Sequence, residues 1–147
     1  MIKQWFLGMS LLFVLPMGLA QDLTSNEKEL YDLIMAYRKS KKLTMIPLSS
    51  SLTIVAQTHS KDLAENRPDK GECNAHSWSK NGKWTACCYT SDHAKASCMW
   101  DKPKELSKYQ YPGYEISCVG SGELSPEEAL KTWKASKAHN DVIINGD

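Results

Sequence analysis

SPEEALKTWKASKAHNDVIIN, residues 125–145, contains the strongest helix start in the chain. Ser125 is a capping residue, and Pro126 occupies the first helical position, where no backbone N–H is needed. Glu128, three residues after the serine, completes a capping box. The spacing therefore predicts a helix from Ser125, whose buried face comes from three apolar residues: Ala129, Leu130 and Trp133.

The end of this helix is predicted at residues 136–138. His139 would then lie at or just beyond its last turn. Residues 142–144 are the apolar run Val-Ile-Ile, and short runs of β-branched residues are typical of strands. We therefore expect a short strand there, followed by an Asn-Gly turn at residues 145–146.

Two further helices are predicted upstream. Thr24 and Glu27 form a capping box, and apolar residues recur at helical spacing as far as Tyr37, which predicts a helix over residues 25–41. A second helix begins at the serines of residues 49–51 and ends before Arg67-Pro68. Its apolar stripe contains His59, which we interpret as a core histidine hydrogen-bonded to a neighbour; the stripe's other members are Leu52, Val55, Ala56 and Leu63.

Residues 68–122 differ in character, because they contain all five cysteines and several turn signals. We predict long loops and short strands held by disulfides, with a small hairpin over residues 78–84. Five is an odd number, so two bridges would leave one cysteine free or paired outside the chain. Cys87 and Cys88 are adjacent and should reach different partners, since alternate side chains on extended backbone point in opposite directions. The cysteines are Cys73, Cys87, Cys88, Cys98 and Cys118.

The charges nearly cancel: 18 Lys+Arg face 17 Asp+Glu. Without a basic excess, nucleic acid is not an expected partner. The basic residues that end the first helix, Arg38 among them, are interpreted as a solvated helix end.

Residues 1–20 have the pattern of a secretory signal peptide: Lys3, an apolar run over residues 5–17, and small residues before Gln21. We expect cleavage before Gln21, which leaves a mature domain of residues 21–147 and no membrane span. The expected location is extracellular or periplasmic, where cysteines form disulfides.

Four segments, in order, resemble the CAP superfamily of cysteine-rich secretory, antigen-five and pathogenesis-related proteins. LTMIPLSSSLTIVAQTHSKDLAE at residues 43–65 is similar to the family's helix entry, and CNAHS at residues 73–77 resembles its His-Ser segment. GYEI at residues 113–116 resembles the GENI motif, and Trp133 to His139 is similar to the bacterial pattern W-x-x-S-x-x-H. The resemblance implies an α+β fold, a three-layer α-β-α sandwich, stabilised here by disulfides.

The resemblance also implies a cleft that contains His76, Glu115 and His139. Ser136 occupies the position where many members have a second glutamate. Members usually continue with further strands of the sheet beyond this segment. The chain ends about where those strands should begin, so we expect a sheet that lacks its last strands or a C-terminally truncated chain.

Two imidazoles and a carboxylate permit three kinds of chemistry. They can shape a polar pocket, they can hold a divalent metal such as zinc through His76 and His139, or they can act as acid and base. The first hypothesis for function is therefore a secreted protein that binds a lipid, sterol, protein or peptide. The alternatives are a metal-dependent hydrolase of peptide or cell-envelope material, and a structural disulfide-stapled domain. We expect binding more than catalysis, because relatives bind ligands and most lack established enzymology.

Overall fold

The computed structural model describes residues 22–145, and the predicted signal segment lies outside them. The described residues form six helices: α1 Ser25–Ser40, α2 Ser50–Asn66, α3 Ser97–Trp100, α4 Lys102–Leu106, α5 Pro126–Ala135 and α6 Lys137–Ile144. None of these helices is both long and apolar enough to cross a membrane.

The predicted helix starts are confirmed. The Thr24 hydroxyl accepts a hydrogen bond from the N–H of Glu27, whose carboxylate accepts one from the N–H of Thr24. Ser125 and Glu128 form the same reciprocal pair at α5, and Pro126 is its first residue. Local sequence therefore fixes where these helices begin, because each box satisfies N–H groups that have no partner inside the helix.

The main core lies where α5 and α6 pack against α1. Trp133 and Ile143 are both buried in it, at 8% and 5% exposure. The amide of Asn26 on α1 donates to Glu123, just before α5, and Lys134 lies over the ring of Tyr37. These contacts place α1 and α5 side by side with their N-termini at the same end.

The strand predicted at residues 142–144 is wrong, because these residues belong to α6. The backbone of Ser136 is extended, which ends α5, and the helix resumes at Lys137. His139 therefore lies inside α6. Within this helix, neighbouring members of the apolar run face different environments: Ile143 is buried, whereas Val142 is 40% exposed.

The interpretation of Arg38 as a solvated residue is also wrong. Its side chain is 1% exposed, so the guanidinium lies in the interior. It donates to the carbonyl oxygens of Ile143 and Asn145, at 2.6 and 3.1 Å, and to that of Thr44 at 3.0 Å. The carbonyls at the end of a helix carry partial negative charge, so α6 supplies the electrostatic partner that places Arg38 inside.

The α-β-α sandwich is not confirmed. The described residues contain no sheet, and their only strand pairing is an isolated antiparallel bridge between Trp78 and Cys87. The bridge begins at the first residue of the predicted hairpin, Trp78, but pairs it with Cys87, three residues beyond the predicted end at Trp84. Residues 97–106 form two short helices instead of strands, and disulfides rather than a ladder hold this region.

Two disulfides connect Cys73 to Cys88 and Cys87 to Cys98, and Cys118 is free. The predicted count of two bridges with one free cysteine is confirmed. The adjacent pair reaches different partners, as predicted.

A thiol titration checks this pairing. The denatured but unreduced protein should react with a thiol reagent at one site, Cys118, because the other four sulfurs are bridged. The variant Cys118→Ser should then give no reaction. Persistent reaction of that variant would contradict the pairing.

Candidate functional site

Helix α2 supplies the inner wall of the candidate site. The Ser49 hydroxyl caps its start by accepting a hydrogen bond from the N–H of Leu52. Residues three and four positions apart share a helix face, which brings one turn after another to the interior. His59 and Asp62 lie on this face, exposed by only 2% and 1%.

Asp62 fixes the segment that carries His76. Its carboxylate accepts hydrogen bonds from the N–H and hydroxyl of Ser79, at 2.8 and 2.6 Å. The Cys73–Cys88 bridge anchors the other end of the segment, and Asn74 accepts a hydrogen bond from the N–H of His76 at 3.0 Å. A buried carboxylate and a disulfide thus hold His76 against α2.

Glu115 lies between two imidazoles. One carboxylate oxygen is 2.5 Å from Nδ1 of His59, and the other is 2.8 Å from Nδ1 of His76. The backbone N–H of Glu115 contacts the sulfur of Met99 at 3.0 Å, which ties this segment to α3. We call His59, Glu115 and His76 the imidazole–carboxylate cluster.

The second ring nitrogen of His59 determines where its protons are. Nε2 lies 3.0 Å from the carbonyl oxygen of Ser77, which can only accept, so Nε2 carries a proton. The ring also stacks on Trp78, with centroids 4.2 Å apart and planes inclined by 9°. His59 is therefore held by two hydrogen bonds and a stacked indole.

The cluster shifts the pKa values of its members in opposite directions. Burial lowers the pKa of His59, but the hydrogen bond and charge of Glu115, with the Ser77 carbonyl, raise it above the ordinary 6.5. Burial raises the pKa of Glu115, but hydrogen bonds from His59 and His76 outweigh it and bring it below 4.5. Both shifts favour an ionised carboxylate beside an imidazolium.

These shifts predict a pH dependence of stability. The stabilisation from His59 is complete below pH 6.5 and is lost as the pH rises through its raised pKa. That from Glu115 is complete above pH 4.5 and is lost as the pH falls through its lowered pKa. The cluster should therefore stabilise the protein most between these two values.

Urea unfolding at a series of pH values measures this dependence. We expect the free energy of unfolding to fall by about 1 kcal/mol on the alkaline side of the window. His59→Gln should remove that decline, whereas His93→Gln, at an exposed histidine, should retain it. An identical alkaline decline in all three proteins would contradict the assignment.

The two other residues of the predicted site, Ser136 and His139, lie after α5, near the C-terminal end of the described residues. Ser136 separates α5 from α6, and its carbonyl accepts the N–H of Asn140 at 2.8 Å. His139 is half-buried in α6, and its Nδ1 atom is buried without a hydrogen-bond partner. Within residues 22–145, no hydrogen bond or ion pair joins Ser136 or His139 to the imidazole–carboxylate cluster.

The geometry of the described residues does not form a metal centre. Across residues 22–145, no group of three or more His, Cys, Asp and Glu side chains is arranged to hold a metal ion. In the cluster, both oxygens of Glu115 face ring nitrogens at hydrogen-bonding distance. The predicted zinc ligands His76 and His139 share no contact that would define such a site.

Two clefts meet at Glu115. The first, of about 610 Å³, runs between α2 and residues 115–124 and extends to α5. The second, of about 340 Å³, lies between α2 and residues 109–116 and is walled by Trp78 and Tyr114. The apolar residues that line the first cleft include Leu30, Leu63, Ala64, Ile116, Val119 and Trp133.

Sequence reasoning placed two of the three cluster residues, and missed His59 as a functional candidate. The prediction that His59 is a core histidine bonded to a neighbour is confirmed. The missing information was the identity of that neighbour, Glu115, which lies 56 residues away. A histidine on an otherwise apolar stripe was the available signal.

Comparison with protein families identifies the chain. No curated protein and no solved structure matches it. The family model described as "CAP: Cysteine-rich secretory protein family" matches residues 31–147. This range contains α2, both disulfides and the whole imidazole–carboxylate cluster. Because the match spans most of the sequence, the chain belongs to the cysteine-rich secretory protein (CAP) family.

Proposed function

We propose that the chain is a secreted CAP-domain protein that binds an apolar ligand, such as a lipid or sterol, in the first cleft. The observation that carries this proposal is the cleft itself, which has a volume of about 610 Å³. Half of its lining side chains are apolar, and its polar ones include His59 and Glu115. Small-molecule sites are typically concave, mostly apolar and between about 300 and 1,000 Å³.

Export is part of the proposal. Two disulfides fit an oxidising compartment, and residues 1–20 have the pattern of a signal peptide. The W-x-x-S-x-x-H spacing supports a bacterial-type member, for which the destination would be extracellular or periplasmic. The family resemblance suggests His76, Glu115, His139 and Ser136 as site residues. Of these, Glu115 lines the first cleft, and His59 lines it as well.

The metal-dependent hydrolase is not favoured by a specific contact. Its predicted ligands need free lone pairs that converge, whereas Glu115 already faces two imidazole nitrogens. We favour a small apolar ligand over a peptide because the first cleft has a volume of about 610 Å³, which lies in the range of small-molecule sites. We therefore place binding before catalysis.

Binding of Nile red, an uncharged apolar dye, tests the proposal. Ala64 is exposed on α2 and lines only the first cleft, so Ala64→Trp should fill it and weaken dye binding about tenfold. Ala36→Trp, at an exposed position of α1, introduces the same side chain away from the cleft. Equal dye affinity in both variants, or no saturable binding by the unaltered protein, would refute the proposal.

A further inference from the structure

Three ring nitrogens of the imidazole–carboxylate cluster have protein partners. The Nε2–H of His59 donates to the Ser77 carbonyl, and its Nδ1 shares a proton with Glu115. The Nδ1–H of His76 donates to the other oxygen of Glu115. A carboxylate only accepts, so both imidazoles must present their Nδ1 protons to it.

The atoms that remain open on the cluster are hydrogen-bond acceptors. The Glu115 side chain is 25% exposed and borders both clefts, and two carboxylate oxygens can accept about four hydrogen bonds, of which the imidazoles supply two. With Nδ1 protonated, the Nε2 atom of neutral His76 also carries a lone pair. This nitrogen has no partner within residues 22–145 and is not buried.

Gln57 adds an independent acceptor to the first cleft. Its side-chain nitrogen donates to the carboxylate of Glu27 at 3.0 Å, which fixes the amide orientation. Its oxygen is consequently directed away from that carboxylate, is buried, and has no hydrogen-bond partner. An unpaired buried acceptor is costly, so it favours a ligand group that can donate to it.

The cleft's one charged donor, Arg67, is partly neutralised by Asp69. Arg67 lines the rim, but its Nε and one terminal nitrogen bind both oxygens of Asp69. The serines that line the cleft can donate or accept, so they do not impose a polarity. The acceptors that line the cleft, Glu115, Gln57 and Glu27, therefore outnumber its one charged donor.

We propose, on the basis of the proposed function, that the ligand of the first cleft is an apolar molecule with a hydrogen-bond-donating head group, an alcohol or an amine. His59 is the positioning residue: it holds the Glu115 carboxylate as an acceptor and thereby keeps His76 protonated at Nδ1. A carboxylate or phosphate head group would bring only acceptors and negative charge to Glu115, and would leave both partners unpaired.

Displacement of Nile red by three probes with the same twelve-carbon chain tests the head-group preference. At a pH of about 7, dodecanoate is an anion, dodecylamine is a cation and 1-dodecanol is neutral. We expect dodecanol and dodecylamine, each below its micelle concentration, to displace the dye at about tenfold lower concentration than dodecanoate. Equal or better displacement by dodecanoate would overturn this inference and leave the proposed function intact.

Failure of the proposed function gives a different result. In that case none of the three probes would displace the dye, or Ala64→Trp would not change their effect. The head-group inference would then be refuted together with the proposed function.

A matched pair of variants tests the role of His59. The amide nitrogen of asparagine reaches the place of Nδ1, whereas that of glutamine reaches the place of Nε2. His59→Asn should therefore keep the contact with Glu115 and the preference for dodecanol over dodecanoate. His59→Gln should keep only the contact with Ser77 and lose most of that preference, although both variants remove the stacked ring.

Nitrogen NMR of the unaltered protein gives a readout that does not depend on folding of the variants. Neutral His76 should appear as the tautomer protonated at Nδ1, with Nε2 unprotonated. His59→Gln should shift it toward the Nε2-protonated tautomer that predominates in free histidine, and His59→Asn should not. An Nε2-protonated His76 in the unaltered protein would overturn the proposal.

Discussion

Replacing Arg38 with methionine should lower the free energy of unfolding by about 3 kcal/mol, the largest effect expected from a single substitution outside the disulfides. The side chain is almost fully buried, so the substitution removes the donor of its hydrogen bonds to the carbonyl oxygens of Ile143 and Asn145. A buried acceptor without a partner costs about 1–3 kcal/mol. Methionine preserves much of the apolar volume, which confines the effect to the lost hydrogen bonds and charge.

Urea unfolding measures the effect, and Lys39→Met is the matched control. Lys39 is the next residue of α1 and is exposed, so its replacement should change stability by less than about 0.5 kcal/mol. Arg38→Lys should recover only part of the loss, because one ammonium cannot reproduce the fork of the guanidinium. Equal unfolding midpoints for the Arg38 and Lys39 variants would show that α6 does not depend on this residue.

Removing the Cys73–Cys88 bridge should cost about 3 kcal/mol, since cross-links over loops of this length restrict the unfolded chain by that amount. The structural consequence should be local. His76 is three residues from Cys73, so the segment that presents it to Glu115 loses one of its two anchors. Neither cysteine belongs to the core formed by α1, α5 and α6 or to the partly buried hydrophobic residues packed against it, so those helices should be retained.

The paired variant Cys73→Ser with Cys88→Ser tests this expectation. Urea unfolding should show the loss, and near-ultraviolet circular dichroism should lose the signal of Trp78, which stacks on His59. Far-ultraviolet signal from the helices should change little. Cys118→Ser is the control for cysteine replacement, and an unfolding midpoint shared by all three proteins would contradict the expectation.

Local signals predicted the beginnings of helices well. The capping boxes at Thr24 and Ser125 and the proline at Pro126 act through neighbours within three residues, so a sequence contains the whole interaction. The prediction for Cys87 and Cys88 succeeded for a similar reason, because adjacent side chains on extended backbone point in opposite directions.

Features that depend on distant partners were harder to predict. From the sequence alone, Arg38 is typical of a basic residue at a solvated helix end. Its buried partner, the carbonyl of Ile143 in α6, lies 105 residues further along the chain. The run at residues 142–144 is compatible with a strand or a helix, and packing against α1 and α5 selects the helix. The fold expected from family resemblance included a sheet, whereas disulfides and short helices organise the described residues between α2 and α5.

At the candidate site, too, the sequence predicted some residues, whereas others depended on distant contacts. The structure brings together His76 and Glu115, two residues that the resemblance suggested, but the resemblance could not specify that His59 would contact the other carboxylate oxygen. The helical periodicity predicted that His59 is buried, but it did not predict its contact with Glu115. Its role follows only from the carbonyl of Ser77, which determines the protonation of its ring.

The two bridges overlap at Cys87 and Cys88, so each peptide bond between residues 73 and 98 is spanned by at least one of them. A protease that cuts after Lys80, Lys83 or Lys95 would therefore produce fragments that stay covalently joined. Such nicked molecules should migrate as a full-length band on a gel without reductant and separate only when a thiol is added. Proteolysis in this region can thus open the backbone while the cut ends remain tethered beside the cluster.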